Sequence, residues 1–400
     1  MRRIAILGVL AVVAGQACGI DDAHREKART AISRAAAYLK TQQDQATGGW
    51  SVNPSGPQYP AITGLVVQGL AMAPGVGPKD DAVVRGAKFM LAYRQADGGI
   101  YDQVLPSYNT SICLSALARL GSPMPDVIEP AQKFLRGLQY GEAASTEGVA
   151  ATEAMRVGKD HPFYGGVGYG KHSRPDNSNL GLMLEALHDS GVKGDDEAFQ
   201  RARVFLSRTQ MYDAVNDQPY ADGSKQGGFV YATAPDGASA GQGQSQAPAA
   251  IEETMDNGEK VSRLRAYGSM TYVGFKSYLY ADLSPEDERV KLATDWIRRN
   301  YTLEENPGMG TDGMYYYFLM FAKAMDAAGG RSAGPRVDTF GTINADGSSG
   351  EHDWANDLID RLAGLQNENG SFKSVDDRWM ENNEILITAY ALIALDLAAK

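Results

Sequence analysis

The chain has 400 residues, and 43% of them are hydrophobic, which is enough for a large buried core and too many for a disordered chain. The formal net charge of −11 excludes a surface built for nucleic acid, because phosphate binding needs an excess of basic residues. The two cysteines, Cys18 and Cys113, lie far apart and do not form a disulfide framework. The core must therefore hold the fold together.

The N-terminus has the pattern of a secretory signal peptide. Two arginines precede an apolar run over residues 4–14, and small residues follow. The run is too short to span a bilayer, so we predict a signal peptide over 1–17 and an exported protein of the periplasm or cell envelope. Cleavage after Ala17 would leave Cys18 first, as in a lipoprotein, although residues 15–16 are not the leucine and small residue of a lipobox. A lipid anchor at Cys18 is the one membrane contact that we expect.

An amphipathic helix, a glycine-containing turn and a more apolar helix recur six times. In the first copy these are AISRAAAYLKTQQ (31–43), GGW (48–50) and YPAITGLVVQGLAMA (59–73). Short turns make each pair an antiparallel hairpin, with the charged face of its first helix toward solvent. The six repeats span about 30–75, 82–121, 127–191, 197–283, 288–329 and 353–400.

Six hairpins in one chain predict an all-α fold, an (α/α)6 toroid with inner and outer rings, in a single domain over 30–400. Two segments break the period. Residues 234–262 are rich in Gly, Ala, Ser and Gln, and we expect a mobile loop there. Residues 330–353 combine alternation with an Asp-Gly pair, which predicts a small β-hairpin insertion.

The turns carry a motif in which Gln, a short spacer, Gly-Gly and an aromatic residue follow the outer helix. Its best copies are Gln43–Trp50, Gln95–Tyr101 and Gln366–Phe372. The motif resembles the prenyltransferase and squalene-oxidase repeat of terpenoid cyclases and protein prenyltransferase β subunits. This resemblance covers nearly all of residues 30–400 and implies the same toroid, whereas fold alone does not determine activity.

The chemistry of that superfamily does not carry over residue by residue. The cyclases that the chain resembles protonate their substrate with an Asp-x-Asp-Asp motif, and the matching segment here reads Asp176-Asn177-Ser178-Asn179. A hydroxyl at Ser178 cannot supply a strong acid. The Asp-x-Cys zinc pair of prenyltransferases is also missing, because Ser111 stands two residues before Cys113. We therefore predict no metal and no cofactor.

In such a toroid the inner helices run parallel, so their N-termini meet at one end, the mouth. Their partial positive charges and free N–H groups favour a polar or anionic ligand. Capping explains many of the Asp, Asn, Ser and Thr residues there, including those of the segment 381–384, but not the tyrosines, which could bind a small hydrophobic ligand or a glycan. The ligand-binding candidates are Tyr108, Asn109, Arg174, Asn177, Asn179, Tyr272, Tyr315, Tyr316 and Asn383.

Two catalytic arrangements stay open. Tyr169, His172 and Asp176 lie close in sequence at one helix start. In a polysaccharide lyase, Tyr or His would serve as base and acid, and Arg174 or Asn177 would neutralise a uronate. Asp176, Glu384 and Asp312 could instead supply the carboxylate pair of a glycosidase. No spacing in the sequence fixes either arrangement.

Three functions are compatible with these features. The favoured one is an exported ligand-binding or scaffold module that lacks cyclase acid chemistry. The first alternative is a divergent terpenoid cyclase or prenyltransferase-like enzyme acting on a hydrophobic substrate. The second is a lyase or glycosidase. A large apolar cavity argues for a hydrophobic ligand, whereas an open polar groove argues for a glycan.

Overall fold

The structure, a computed structural model, describes residues 20–50, 56–121, 124–142, 152–170, 174–237, 244–329, 339–344 and 346–400. The predicted signal peptide, the anchor at Cys18 and the candidate His172 lie outside these ranges. Among the described helices, none is long and apolar enough to cross a membrane.

Twelve α-helices and three two-stranded antiparallel sheets make up the described part of the chain. The outer helices are α1 (Asp22–Thr41), α3 (Asp81–Leu91), α5 (Pro125–Gly137), α7 (Glu197–Thr209), α9 (Glu288–Arg299) and α11 (Trp354–Leu365). The inner helices are α2 (Pro60–Met72), α4 (Pro106–Arg119), α6 (Asn177–Asp189), α8 (Gly268–Tyr280), α10 (Met314–Gly329) and α12 (Glu384–Ala398). The strands are β1 (Gln210–Tyr212), β2 (Lys225–Phe229), β3 (Ile251–Thr254), β4 (Lys260–Arg263), β5 (Thr339–Ile343) and β6 (Ser349–Asp353).

The inner helices form a closed ring. Each one packs against the next, and α12 packs against α2. The inner helix α2 is buried continuously from Pro60 to Leu70, whereas the outer helix α1 buries only a stripe that includes Ile32 and Leu39. The predicted toroid of six hairpins is confirmed. Its first helix begins at Asp22, earlier than the predicted start at residue 30.

At four of the six turns, the motif glutamine ties its hairpin to the next outer helix. The side-chain amide of Gln139 donates to the carbonyl of Gly165 in its own turn, at 2.9 Å, and to the carbonyl of Ala198 in the next outer helix, also at 2.9 Å. Gln43, Gln210 and Gln366 make the same pair of bonds. We call this arrangement the glutamine corner. One residue type therefore fixes the spacing of neighbouring hairpins.

Two further residues complete the corner. Gly165 has φ +84°, and a Cβ there would lie 2.0 Å from the carbonyl oxygen of Arg201, so both the conformation and the space require glycine. An inner-helix threonine then receives the chain beyond the glycines: the hydroxyl of Thr63 accepts from the N–H of Trp50 at 2.9 Å. Equivalent threonine bonds recur at Thr110, Thr271 and Thr388.

The predicted hairpin within 330–353 is confirmed, with β5 and β6 in register from Thr339 opposite Asp353 to Ile343 opposite Ser349. The expectation of a mobile loop over 234–262 is wrong in its second half. There β3 pairs antiparallel with β4, from Ile251 opposite Arg263 to Thr254 opposite Lys260. The connecting turn contains Gly258 at φ +85°, which follows an asparagine as hairpin turns favour.

A buried ion cluster joins three inner helices deeper in the ring. The carboxylate of Glu185 in α6 bonds to the ammonium groups of Lys276 in α8 and Lys323 in α10. Burial alone would raise the pKa of Glu185, but the two lysines hold it well below its usual range. These residues lie eight or nine residues after the first residue of their helices, so the cluster lies roughly 13 Å from the mouth. The centre of the ring is therefore filled at that depth.

The glutamine corner predicts that two glycines of similar conformation differ in their tolerance of alanine. Gly165→Ala should lower the free energy of unfolding by at least about 3 kcal/mol, because the new Cβ meets backbone that cannot move freely. Gly191 has φ +92°, and a Cβ added there would have no neighbouring atom within 4 Å. Gly191→Ala should therefore lose only the conformational term, about 1 kcal/mol. Urea unfolding measures both, and equal losses would contradict the account.

Candidate ligand cavity

A cavity of about 360 Å³ lies at the mouth, where the inner helices begin. Each inner helix, or the residue just before it, contributes to its lining, and most of the lining surface is apolar. The cavity is therefore a product of the ring as a whole. Its aromatic lining residues are Tyr59, Tyr108, Tyr169, Tyr231, Tyr267, Tyr316, Trp379 and Tyr390.

Glu381 is the one carboxyl among the described residues that line the cavity. Its Oε1 accepts the backbone N–H of Tyr316 at 2.8 Å, near the start of α10. Its Oε2 is buried and has no hydrogen-bond partner. Burial raises the pKa of Glu381 to about 7, even though N–H groups at the start of α10 lower it. One oxygen is thus anchored, and the other is buried without a hydrogen-bond partner.

The segment before Glu381 is held in a strained conformation. Trp379 and Met380 have φ of 55° and 67°, and Leu105 across the mouth has φ 51°. All three line the cavity, and each left-handed residue costs about 1–2 kcal/mol. Such strain concentrates at functional sites, where the surrounding structure imposes it.

Arg378 fastens this segment to the rest of the mouth. Its Nη1 donates to the carboxylate of Asp312 at 2.8 Å, and its Nη2 donates to the side-chain oxygen of Gln246 at 3.0 Å. The guanidinium also lies 4.1 Å from the ring centroid of Trp379. Asp312 therefore serves as the partner of Arg378 and is not among the residues that line the cavity.

Asp176 caps α6 behind the cavity wall. Its carboxylate accepts from the backbone N–H and the side-chain amide of Asn179, at 2.9 and 2.8 Å, and from the hydroxyl of Tyr231. Burial raises its pKa to about 6. Beside it, the hydroxyls of Ser178 and Tyr316 share a hydrogen bond of 2.8 Å. The carboxylate of Asp176 is therefore occupied by the protein itself.

The helix N-termini at the mouth are also occupied, which corrects the expectation that free N–H groups await a ligand. The side-chain oxygen of Asn109 accepts the N–H of Ala61 in α2 at 3.0 Å. Asn306 does the same for α8 and Asn383 for α12, at 3.0 and 2.9 Å. With Asp176 on α6 and Glu381 on α10, these caps remove the donors that an anion would need.

Of the residues proposed from the sequence, Tyr108, Tyr169 and Tyr316 line the cavity. Most of the other described candidates bond to neighbouring segments of the protein. The side-chain amide of Asn177 donates to the carbonyl of Val230 at 2.7 Å, and the hydroxyl of Tyr315 donates to the carbonyl of Lys373 at 3.2 Å. The remaining two, Tyr272 and Arg174, do not line the cavity; Tyr272 packs against Tyr317 and Phe321, and Arg174 lies near Asp176.

The carboxyls suggested for a glycosidase are not brought together in the cavity. Glu384 accepts from the hydroxyl of Tyr38 at 3.3 Å, toward α1. Asp312 pairs with Arg378, and Asp176 caps α6. Among the described residues, no group of three or more His, Cys, Asp or Glu is placed to hold a metal ion.

Sequence reasoning did not single out Glu381, Tyr231, Trp379 or Met380. The pattern of apolar residues does place Glu381 at the mouth. That pattern cannot show that the side chain of Glu381 lines the cavity while that of Glu384, three residues later, contacts Tyr38 of the outer ring.

No protein-family model and no curated protein matches this chain. Among solved structures, it is similar to the type II terpene cyclase MstE from Scytonema in complex with geranylgeranyl dihydroxybenzoate, its substrate. The identity is 13%, the TM-score is 0.51, and the match covers 95% of this chain and 99% of that one. The GH76A α-1,6-mannanase of Salegentibacter sp. matches at 8% identity with a TM-score of 0.54, over 93% and 99% of the two chains. A novel α-amylase from Clostridium perfringens matches at 10% identity with a TM-score of 0.51, over 92% and 97%.

At these identities the likeness shows the fold alone, an α/α toroid of the kind that terpenoid cyclases share with glycosidases. The fold and the cavity together define the class: an α/α toroid with an aromatic cavity at the mouth of its inner ring. The function must therefore be inferred from the residues that line the cavity.

Glu381 gives the mouth a measurable pH signature. Because the folded-state pKa of about 7 exceeds the ordinary 4.5, the folded protein keeps a proton that the unfolded chain releases between these pH values. The stability that protonated Glu381 contributes is thus present at low pH and is lost as the pH rises from 4.5 through about 7. The Glu381→Gln variant lacks the effect. Its free energy of unfolding relative to the native protein should rise by up to about 3 kcal/mol between pH 4.5 and 8.

Urea titrations at both pH values measure this difference. The exposed Glu368→Gln change is the matched control and should show no such trend. Parallel pH profiles for the native protein and Glu381→Gln would show that Glu381 is not buried as described.

Proposed function

We propose that the protein binds a small, mainly apolar molecule in the mouth cavity and acts as a ligand-binding module of the cell envelope. The aromatic cavity is the observation that carries this proposal. Its volume of about 360 Å³ falls within the ordinary range of small-molecule sites. The export part of the proposal is supported by the apolar run over residues 4–14.

Apolar burial is the main source of affinity in such a site. A ligand that loses about 200 Å² of apolar surface gains about 5 kcal/mol, before the cost of association is subtracted. The frame around the cavity is already capped and bonded, so little ordering of side chains opposes binding. Apolar burial alone therefore supports a dissociation constant no tighter than roughly 0.2 mM, since a micromolar constant requires about 8 kcal/mol.

The second candidate is a divergent cyclase-like enzyme acting on a hydrophobic substrate, and Glu381 is the observation that favours it. A carboxyl with a raised pKa in an apolar cavity has the character of a proton-transfer group. However, a pKa of about 7 describes a weak acid, whereas protonation of an isolated carbon–carbon double bond needs a strong one. Binding without that chemistry is therefore the better-supported function.

A glycan ligand is less well supported. Sugars carry many hydroxyl groups, and each one that is buried needs a partner. Apart from tyrosine hydroxyls, the described lining offers Ser178, Gln246, Ser269 and Glu381 as polar side chains. The apolar character of the remaining lining favours a hydrophobic molecule.

Filling the cavity should abolish binding. Ser178 lines the cavity at the start of α6, so Ser178→Phe should weaken binding of the neutral fluorescent probe N-phenyl-1-naphthylamine by at least ~10-fold, since it takes the ligand's space. Ser190→Phe, just beyond the far end of α6, is the matched control and should bind like the native protein. Probe fluorescence measures both, and circular dichroism checks the fold. No binding by the native protein, or equal binding by both variants, would refute the proposed site.

A further inference from the structure

We infer that the ligand is an organic cation, whose substituted ammonium head lies among the aromatic side chains beside Glu381. This inference rests on the proposed function and names the class of ligand. Two features of the mouth carry it: the side chains that line the cavity, and the free oxygen of Glu381.

The described lining has eight aromatic side chains and one carboxyl, and it contains no lysine, arginine or histidine. Aromatic rings attract a cation through their negative faces, by up to about 2 kcal/mol for each desolvated contact. A neutral hydrocarbon would use the same rings but would leave Oε2 of Glu381 buried without a partner. A buried carboxylate without a counter-charge is costly, and a cation removes that cost.

Several tyrosine hydroxyls of the lining are already engaged within the protein, which leaves the rings as the contact surface. Tyr231 bonds to Asp176, and Tyr316 shares a hydrogen bond with Ser178. Tyr108 and Tyr390 are paired with each other. Such hydroxyls are poorly placed to satisfy a polar neutral ligand, whereas the rings remain available to an alkylammonium group.

The charges around the mouth agree with a cationic ligand. Asp376 lies near Glu381, and Asp176 lies behind Tyr231. Arg378 is paired with Asp312, and Arg174 lies near Asp176. When all are ionised, these four carboxyls exceed the two guanidinium groups. The chain as a whole carries −11, so its field also attracts cations.

Trp379 and Met380 stand at the opening, with 45% and 39% of their surface exposed. Both belong to the strained segment that Arg378 holds. A ligand entering the cavity therefore passes an aromatic ring that carries a guanidinium at 4.1 Å.

The test compares a cation with its neutral isostere. Benzyltrimethylammonium and choline, together with 3,3-dimethylbutan-1-ol as the uncharged counterpart of choline, are titrated against the full chain by calorimetry at pH 8.5. We expect choline to bind at least ~10-fold more tightly than the alcohol, because only the cation gains from the rings and from Glu381. Displacement of N-phenyl-1-naphthylamine locates the binding to the cavity.

Two pairs of variants separate charge from shape. Glu381→Gln should reduce the preference for choline by at least ~10-fold, whereas the matched control Glu384→Gln, three residues later at the start of α12 and outside the cavity, should keep it. Tyr390→Phe keeps the ring and should bind the cations, while Tyr390→Leu should weaken them. The Tyr390 pair keeps the test decisive if Glu381→Gln does not fold.

The pH dependence gives an independent readout. Cation binding should strengthen from pH 5.5 to 8.5 as Glu381 ionises, while binding of the alcohol should not change in this way. The groups that face Glu381 are Asp376 and the tyrosines Tyr315, Tyr316 and Tyr390. The pKa values of these three tyrosines are raised by burial, so they stay neutral in this range.

Each outcome decides the inference. If the alcohol binds as tightly as choline, or if neither cation displaces the probe, the cation inference is overturned while the apolar site stands. If the neutral probe also fails to bind the native protein, the proposed function itself fails. A preference for the cations that survives both Glu381→Gln and Tyr390→Leu would place their binding elsewhere.

Discussion

The glutamine at the end of an outer helix bonds at once to its own turn and to the next outer helix, and the rest of the architecture depends on this contact. Gln139 and its three equivalents fix the spacing at four of the six junctions between hairpins. The glycine beneath it, as at Gly165, lets the two backbones approach closely. Because six such hairpins close into a ring, six helix starts converge, and a cavity forms where they meet. The cavity is thus a geometric consequence of the repeat.

What the cavity can bind depends on which groups cap the N-termini of the inner helices. A set of helix N-termini around a common space would ordinarily attract anions. Here three asparagines and two carboxyls cap five of the six inner helices, and the carbonyl of Tyr169 accepts the N–H of Ser107 in α4, so the positive ends are used within the protein. Glu381 adds a further asymmetry, because one of its oxygens caps α10 while the other is buried without a hydrogen-bond partner. The strained backbone at Trp379 and Met380 brings Glu381 into this position, and the surrounding ring supplies the stability that the strain costs.

The sequence predicts the features that depend on local residue patterns. Helix periodicity, the Gln and Gly-Gly turns and the six-fold repeat together indicated the toroid, and an Asp-Gly pair marked the hairpin of β5 and β6. The second hairpin was missed because the small residues of 234–250 hid the alternation and the Asn257-Gly258 turn beyond them. The inward orientation of Glu381 depends on contacts with α10, and the left-handed backbone of Trp379 depends on Arg378 and Asp312. No local pattern records such long-range contacts, so the walls of the cavity could be located but their chemistry could not.

The proposed function depends on one property of the aromatic space at the inner-helix mouth, namely that it is open in the native protein and accepts a ligand. A crystal structure of the chain grown with benzyltrimethylammonium tests it most directly. The account predicts electron density for the ligand between Trp379 and Tyr390, with its ammonium group next to Oε2 of Glu381. A mouth filled by the protein's own side chains, or a ligand bound only on the outer surface, would contradict it.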